Sequence, residues 1–268
     1  HYFQKRVGGG GYAPATDAVF PEGGYAIFRS SWEDGEQGTW MLFNAATHSS
    51  VHKHGDDLQV LLYHKGDLFV EAGNRNYNYS DEKTAWAYFG YGHNVLLVNE
   101  DPFPVRIGKN GHQSIFPAAL KTKITAWNLE NGISSVTGFQ CRFPSVKQER
   151  TLVYDRQAKK VLIRDIITAK ETFQGTFLWH VAKGIRVEQL PEQAGWDFFS
   201  AGNDFVARAE MKTTVPYHLE TIVGENGKYP YVTWIFNGKD EPTYGTLLKI
   251  NFEGMAGTSQ IIMELSLK

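Results

Sequence analysis

Short runs of alternating apolar and polar residues, separated by turn residues, make up most of this chain. In the first half these runs are residues 24–29, 39–44, 58–63, 68–71 and 94–99. Alternation with a period of two is typical of β-strands that bury one face. The intervening segments are rich in Gly, Asp and Asn, which predicts antiparallel hairpins. His64, in the turn between residues 58–63 and 68–71, is expected to be exposed.

The second half continues the same pattern. Its candidate strands are residues 123–129, 134–139, 149–154, 161–168, 176–181, 205–210, 214–219, 231–236, 247–252 and 259–265. No helical period persists beyond two turns, and only a short helical turn is predicted after Asp81. Regularly spaced short strands with turns between them indicate an all-β fold, a large antiparallel β-sandwich of two or more stacked sheets with little helix.

The first 24 residues differ from the rest. They are rich in glycine and proline, with four consecutive glycines at 8–11, and this composition predicts a connector. Residues 25–268 are then one β-sandwich domain, which is a feasible size for a single core.

Composition excludes several classes of function. The formal net charge is −2, which gives no electrostatic reason to expect nucleic acid or an anionic membrane as partner. No apolar run approaches the ~20 residues that a membrane-spanning helix needs. Cys141 is the only cysteine, so an intrachain disulfide is impossible.

Candidate metal ligands lie between residues 51 and 94. His52, His54 and Asp56 alternate at spacing two, which would place them on one face of a strand. Histidine and carboxylate side chains suit Zn²⁺ best, with Mn²⁺ or Ca²⁺ as alternatives. The candidate ligands are His54, Glu71 and His93.

Two further aspartates adjoin this set, and one alternative to a metal site stays open. Asp56 and Asp57 could orient a ligating imidazole from the second shell. The alternative is that all of these residues are hydrogen-bonded polar groups at a sheet edge.

Several segments together carry a family resemblance. They are residues 20–32, 51–79, 92–98, 150–169 and 178–187. The first of these elements is a glycine-led strand that ends in Arg, and the sequence His-x-His-x-Asp follows it. Next come a hairpin with a carboxylate before Gly, and then a Tyr. The last element is His-Asn before an apolar strand. This order resembles the C-terminal β-sandwich of heparinase II/III-like polysaccharide lyases over about residues 20–190. Two positions depart from the family pattern, which usually has Asp at Glu71 and Thr at Val95.

The resemblance implies a lyase that cleaves uronate-containing glycans, such as glycosaminoglycans or alginate, by β-elimination. It assigns His52 to the catalytic cleft, as charge neutraliser or proton-transfer partner, and His54, Glu71 and His93 to a structural metal. One strand cannot serve both purposes from one face, so a bend or bulge is expected near Gly55.

The same family carries most of its catalytic groups on an N-terminal α/α toroid, and this chain has no helical pattern for one. We therefore expect the chain to be the C-terminal portion of a larger lyase, inactive alone. Its expected partners are that toroid and an acidic polysaccharide. The expected location, by resemblance only, is periplasmic or secreted.

Candidate substrate-binding residues are Arg29 and the loop residues Asn74, Arg75, Tyr77 and Tyr79. For each, a structural role is the competing interpretation: an ion pair for Arg29 and packing for the tyrosines.

Three later polar residues, Arg150, Asp165 and His180, are expected in a buried polar network. Two other functions stay open for the chain, a non-catalytic carbohydrate-binding module and the β-domain of a uronate C5-epimerase.

Overall fold

A computed structural model describes residues 13–47, 53–78, 80–102, 105–107, 113–115, 121–224, 233–236, 238 and 241–268. The strands of the first half are β1 (Ala18–Phe20), β2 (Tyr25–Arg29), β3 (Thr39–Asn44), β4 (Gln59–His64), β5 (Asp67–Val70), β6 (Leu96–Val98), β7 (Val105–Ile107), β8 (Gln113–Ile115), β9 (Lys123–Asn128) and β10 (Ile133–Phe143). Those of the second half are β11 (Val146–Asp155), β12 (Lys160–Ala169), β13 (Phe173–Val181), β14 (Arg186–Gln189), β15 (Gly195–Phe199), β16 (Phe205–Thr213), β17 (Tyr217–Val223), β18 (Trp234–Ile235), β19 (Thr243–Tyr244), β20 (Thr246–Gly254) and β21 (Gly257–Leu267). The α-helix is α1 (Glu82–Tyr88), and 3₁₀ turns lie at Gly35–Gln37, Gly90–Gly92 and Pro191–Gln193.

Two large antiparallel sheets form a sandwich, as the strand pattern predicted. The first sheet has the order β1-β2-β3-β4-β5-β13-β20-β17, with β6 also paired to β13. The second has the order β14-β15-β16-β21-β12-β11-β10-β9. Two small hairpins, β7-β8 and β18-β19, lie outside both sheets.

The core lies between the two sheets because each strand turns alternate residues inward. Residues along β2 and β11 alternate between buried and more exposed positions, as a half-buried strand requires. Large side chains from both sheets meet there, including Phe43 and Trp179 from the first and Trp196 from the second. Burying each such side chain stabilises the fold by about 1.5–3 kcal/mol.

A short helix covers the outer face of the first sheet near β5. Asp81 caps α1, because its side chain accepts a hydrogen bond from the Thr84 N–H at 3.0 Å. Trp86 and Ala87 then pack against Ala72 and the segment around Trp234. No helix in the described residues is long and apolar enough to span a membrane.

The structure differs from the sequence-based expectations in three places. Residues 53–58 form an irregular loop that enters β4, not a strand, because their backbone packs on residues 88–90. His64, expected to be exposed in a turn, is only 5% exposed as the last residue of β4. The hairpin β7-β8 lies between the predicted strands 94–99 and 123–129, where no strand was expected.

The first sheet also begins inside the span that we assigned to a connector. The turn at residues 21–24 lets β1 pair with β2, and the Asp17 carboxylate accepts a hydrogen bond from the Arg29 N–H at 3.0 Å. The glycine run at 8–11 lies outside the described residues.

Gly138 of β10 provides a close contact between the two sheets. A Cβ atom there would lie 2.6 Å from Leu58 Cδ2 and 2.7 Å from Phe43 Cζ. We expect Gly138→Ala to raise the energy of the folded state by about 1–3 kcal/mol through overpacking. Urea unfolding measures this, with the exposed Gly202→Ala as control. Equal stabilities of the two variants would contradict the packing described.

Candidate functional site

The candidate site lies at one end of the first sheet. Gln59 begins β4, Glu71 follows the last residue of β5, and His93 precedes β6. Because β4 and β5 are antiparallel, the start of one and the end of the other lie side by side. This brings residues from three separate segments together.

His93 is buried at the centre of the site, with 1% of its surface exposed. Its Nδ1 lies 2.9 Å from Glu71 Oε2 and 3.2 Å from Gln59 Oε1. Its Nε2 is buried and has no hydrogen-bond partner among the described residues. Burying a polar nitrogen in this way is costly unless something else satisfies it.

His54 reaches the same place from the loop before β4. Its ring centroid is 4.1 Å from that of Tyr88 and 5.4 Å from that of His93. Gly55 makes this approach possible, because its N–H donates to the Tyr88 carbonyl at 3.0 Å and a Cβ atom would lie 2.5 Å from Gly90 N. The chain bends at Gly55, as expected.

The imidazoles of His54 and His180, both close to His93, are neutral at neutral pH. Burial and the nearby His93 lower the pKa of His54 to about 4. Burial likewise lowers the pKa of His180 to about 4, and its Nε2 lies 2.9 Å from the Tyr91 carbonyl. Burial acts to raise the pKa of Glu71, but hydrogen bonds from His93 and Gln59 lower it below its usual value.

A buried charge network holds the loop that carries His54. Lys53 Nζ lies 2.6 Å from Asp56 Oδ1 and 3.3 Å from Asp57 Oδ1, and Arg142 Nη1 lies 3.2 Å from Asp57 Oδ2. Burial acts to lower the pKa of Lys53, but Asp56 and Asp57 raise it overall, so the side chain stays charged. Asp56 also accepts a hydrogen bond from Asn44 Nδ2 at 2.6 Å. The two aspartates therefore contact cations and an amide, whereas Gln59 and Glu71 contact the His93 ring.

Asn94 connects this site to three strands. Its Nδ2 donates to the carbonyls of Val60 at 2.9 Å and Val70 at 2.8 Å, and its Oδ1 accepts from the His180 N–H at 2.7 Å. The residue is completely buried. Its amide thus replaces strand pairing where β4, β5 and β13 converge, and it fixes the backbone next to His93.

Arg150 supports the site from the opposite sheet. It is completely buried, and Asp165 accepts hydrogen bonds from its Nε at 2.9 Å and its Nη2 at 3.1 Å. Its Nη1 donates across the sandwich to the carbonyls of Leu58 at 2.9 Å and Asn94 at 3.1 Å. The buried network expected for Arg150 and Asp165 is therefore present, and it reaches the backbone on both sides of the site.

The described residues fit a metal ion only in part. His54, Glu71 and His93 adjoin one another, and the unsatisfied Nε2 of His93 is suited to a cation. However, no group of three or more His, Cys, Asp or Glu side chains in the described segments is placed to hold an ion. Glu71 instead contacts Nδ1 of His93.

The remaining candidate residues are placed as follows. Arg75 pairs with Asp81 at 2.5 Å, and Tyr77 is 71% exposed on the same loop. Asn74 is exposed, and its carbonyl accepts a hydrogen bond from the Gly238 N–H at 2.7 Å. Arg29 is the last residue of β2, at the opposite end of the first sheet from the candidate site. Its guanidinium lies 4.1 Å from the Trp32 ring centroid.

Two candidates, His52 and Tyr79, lie outside the described residues. Sequence reasoning missed Gln59, Lys53 and Arg142. Gln59 could have been found as a polar residue opening an apolar strand, whereas nothing local marks a lysine or an arginine as buried.

Comparison with known families identifies the chain. The model of the family described as heparinase II/III-like, C-terminal, matches residues 13–253. The chain belongs to this family. A search of curated proteins finds no match.

Solved heparinases share the fold. Heparan sulfate lyase HepC from Pedobacter heparinus matches with a TM-score of 0.77 at 14% identity, over 99% of this chain and 38% of that one. A heparinase III described as the BT4657 gene product gives 0.74 at 14% identity, over 99% of this chain and 38% of its own. Another heparinase III gives 0.73 at 14% identity, over 96% and 37%. This heparinase II/III-like chain therefore spans little more than a third of these proteins.

The Arg150 network yields a stability prediction. We expect Arg150→Met to destabilise the fold by about 3–5 kcal/mol, because it leaves the buried Asp165 carboxylate without its cation. The control is Arg208→Met, which breaks the bidentate pair with Asp197 and should destabilise the fold much less, because the Arg208 guanidinium is exposed to water. Urea unfolding compares the two variants. A loss at Arg150 no larger than that at Arg208 would refute the role given to the buried pair.

Proposed function

We propose that this chain is the C-terminal β-sandwich of a polysaccharide lyase that cleaves uronate-containing glycans by β-elimination. The observation that carries the proposal is the family match over residues 13–253, within which His54, Glu71 and His93 form one cluster. The toroid expected from the family would supply the other half of the active site.

The proposed reaction sets clear demands on the site. The C5 proton of a uronate is weakly acidic, so the enzyme must neutralise the adjacent carboxylate and stabilise the charge that develops on it. It must also place a base near that proton and an acid near the glycosidic oxygen. We assign the neutralising role to His52, two residues before His54, and the loop residues Asn74, Arg75, Tyr77 and Tyr79 to the glycan.

We further propose that His54 and His93 hold a divalent ion, most readily Zn²⁺. His93 would present its Nε2, because Glu71 and Gln59 already occupy Nδ1, and a carboxylate on the second nitrogen is typical of histidines that bind metals. Glu71 would then either bind the ion itself or hold the His93 ring in the orientation that binds it. Bound there, the ion would connect the 53–58 loop to the segment before β6 and act structurally.

The catalytic proposal predicts a specific loss of activity. In the full-length protein, His52→Ala should lower the rate of unsaturated uronate formation at least about a hundredfold, because charge stabilisation in the transition state is lost. His218→Ala, which changes an exposed histidine on β17, should have no effect. The assay is the absorbance of the unsaturated product from heparan sulfate and alginate.

Two results of that assay would count against the proposal. Full activity of His52→Ala would indicate a domain that only binds carbohydrate. Exchange of the C5 proton with deuterium but no chain cleavage would indicate an epimerase. The 268-residue chain alone should show no cleavage.

The metal proposal predicts stoichiometric zinc. Elemental analysis of the gently purified 268-residue chain should find about one ion per chain, and a chelator should lower the melting temperature, because an ion that binds only the folded state stabilises it. His93→Ala should lose the ion and His218→Ala should retain it. Absence of zinc, manganese and calcium from the wild-type chain would refute this site.

A further inference from the structure

A second polar cavity lies at the opposite end of the sandwich from the candidate site. The strand β4 runs from Gln59, which contacts His93, to His64, which lines this cavity. Those five residue steps correspond to about 17 Å at 3.4 Å per residue. The cavity has a volume of about 440 Å³ and opens where both sheets end.

Positive charge dominates the described lining of this cavity. Lys65 follows β4, and Arg156 and Lys159 lie in the turn between β11 and β12. Arg156 is neutralised by an ion pair with Asp17. Lys65 and Lys159 have no ion pair in the described part of the chain.

Acidic groups do not cancel this charge. Asp34 is the only Asp or Glu side chain among the described lining residues, and it accepts a hydrogen bond from the Ser30 hydroxyl at 2.5 Å. Lys268 also lines the cavity. Lys65 and Lys159, which have no ion pair among the described residues, therefore line a concave space whose described side chains include one carboxylate.

The floor of the cavity is formed by a buried histidine whose two ring nitrogens both have hydrogen-bond partners. His64 is buried, with Nδ1 2.7 Å from Thr39 Oγ1 and Nε2 3.2 Å from the Lys268 carbonyl. Burial, and to a lesser extent the charges of Lys65 and Lys159, lower the pKa of His64. Ser31 accepts a hydrogen bond from the Glu33 N–H and retains its own proton to donate.

We propose that this cavity binds a sulfate or carboxylate group of an acidic saccharide, at a site separate from the His54–Glu71–His93 cluster. Two ammonium groups beside hydroxyl donors are suited to bind an oxyanion. The anionic nature of the ligand follows from the lining, and its saccharide nature rests on the proposed function. The site would hold the glycan chain away from the position of cleavage.

The test uses amide NMR shifts and calorimetry on the 268-residue chain at low ionic strength. The probes are inorganic sulfate, a sulfated heparin-type tetrasaccharide, an oligomannuronate that carries only carboxylates, and a neutral cello-oligosaccharide. We expect at least one acidic oligosaccharide to shift the amides of residues 64–66 and 156–160, with binding that weakens as salt is added. The neutral one should not bind there.

The variant Lys65→Gln with Lys159→Gln removes both charges and keeps a polar side chain at each position. It should weaken binding at least about fivefold, since two charge contacts are lost. The matched control changes Lys147 and Lys183 to Gln, two exposed lysines elsewhere. It should bind like the wild type.

Three results would overturn the inference. The first is that neither acidic oligosaccharide shifts the amides of residues 64–66 and 156–160. The second is wild-type affinity in the Lys65/Lys159 variant. The third is that inorganic sulfate binds while neither acidic oligosaccharide does. The lyase proposal is tested separately by cleavage. Cleavage by the full-length protein, with no shifts in the 268-residue chain, would contradict only this second site. Shifts in the 268-residue chain, with no cleavage by the full-length protein, would contradict only the lyase assignment.

Discussion

The candidate site depends on one buried cation. The guanidinium of Arg150 lies between the two sheets, paired with Asp165 on its own sheet and hydrogen-bonded to the carbonyls of Leu58 and Asn94 on the other. A charge removed from water in this way is tolerated only when it is fully paired, so its partners are held in one arrangement. Those two carbonyls flank the loop of His54 and the segment of His93.

Around this cation, buried polar groups replace ordinary strand pairing. Asn94 connects the backbone of three strands, and Gln59 contacts both His93 and the Asn94 N–H. Lys53 and Arg142 neutralise the aspartates of the 53–58 loop. The loop has no regular secondary structure, yet Lys53, Asp56 and Asp57 all form ion pairs and the Gly55 N–H donates to the Tyr88 carbonyl. This gives an irregular segment the rigidity that a binding or catalytic site needs.

The class of fold could be predicted because alternation along each strand is a local property. The segment 39–44 was predicted with its observed bounds, and most other strands were predicted within a few residues. Residues 53–58 were mistaken for a strand, because the contact of Gly55 with Gly90 that bends them is separated by 35 residues. His64 was misplaced for the same reason, since its partners Thr39 and Lys268 are distant in sequence.

Three histidine and carboxylate residues of the candidate site could be predicted, but not their arrangement or the residues that hold them. Spacing and resemblance selected His54, Glu71 and His93, and the structure brings the three together. Which nitrogen of His93 meets Glu71, and that Gln59 joins them, depends on how β4, β5 and β6 converge. No local pattern encodes that convergence.

The central claim is that this buried framework holds His54 and His93 ready for a divalent ion. Anomalous diffraction at the zinc absorption edge, from crystals of the protein purified without chelators, tests it most directly. We predict a single strong anomalous peak between the imidazoles of His54 and His93. Crystals grown with zinc present that show no peak at these residues would contradict it.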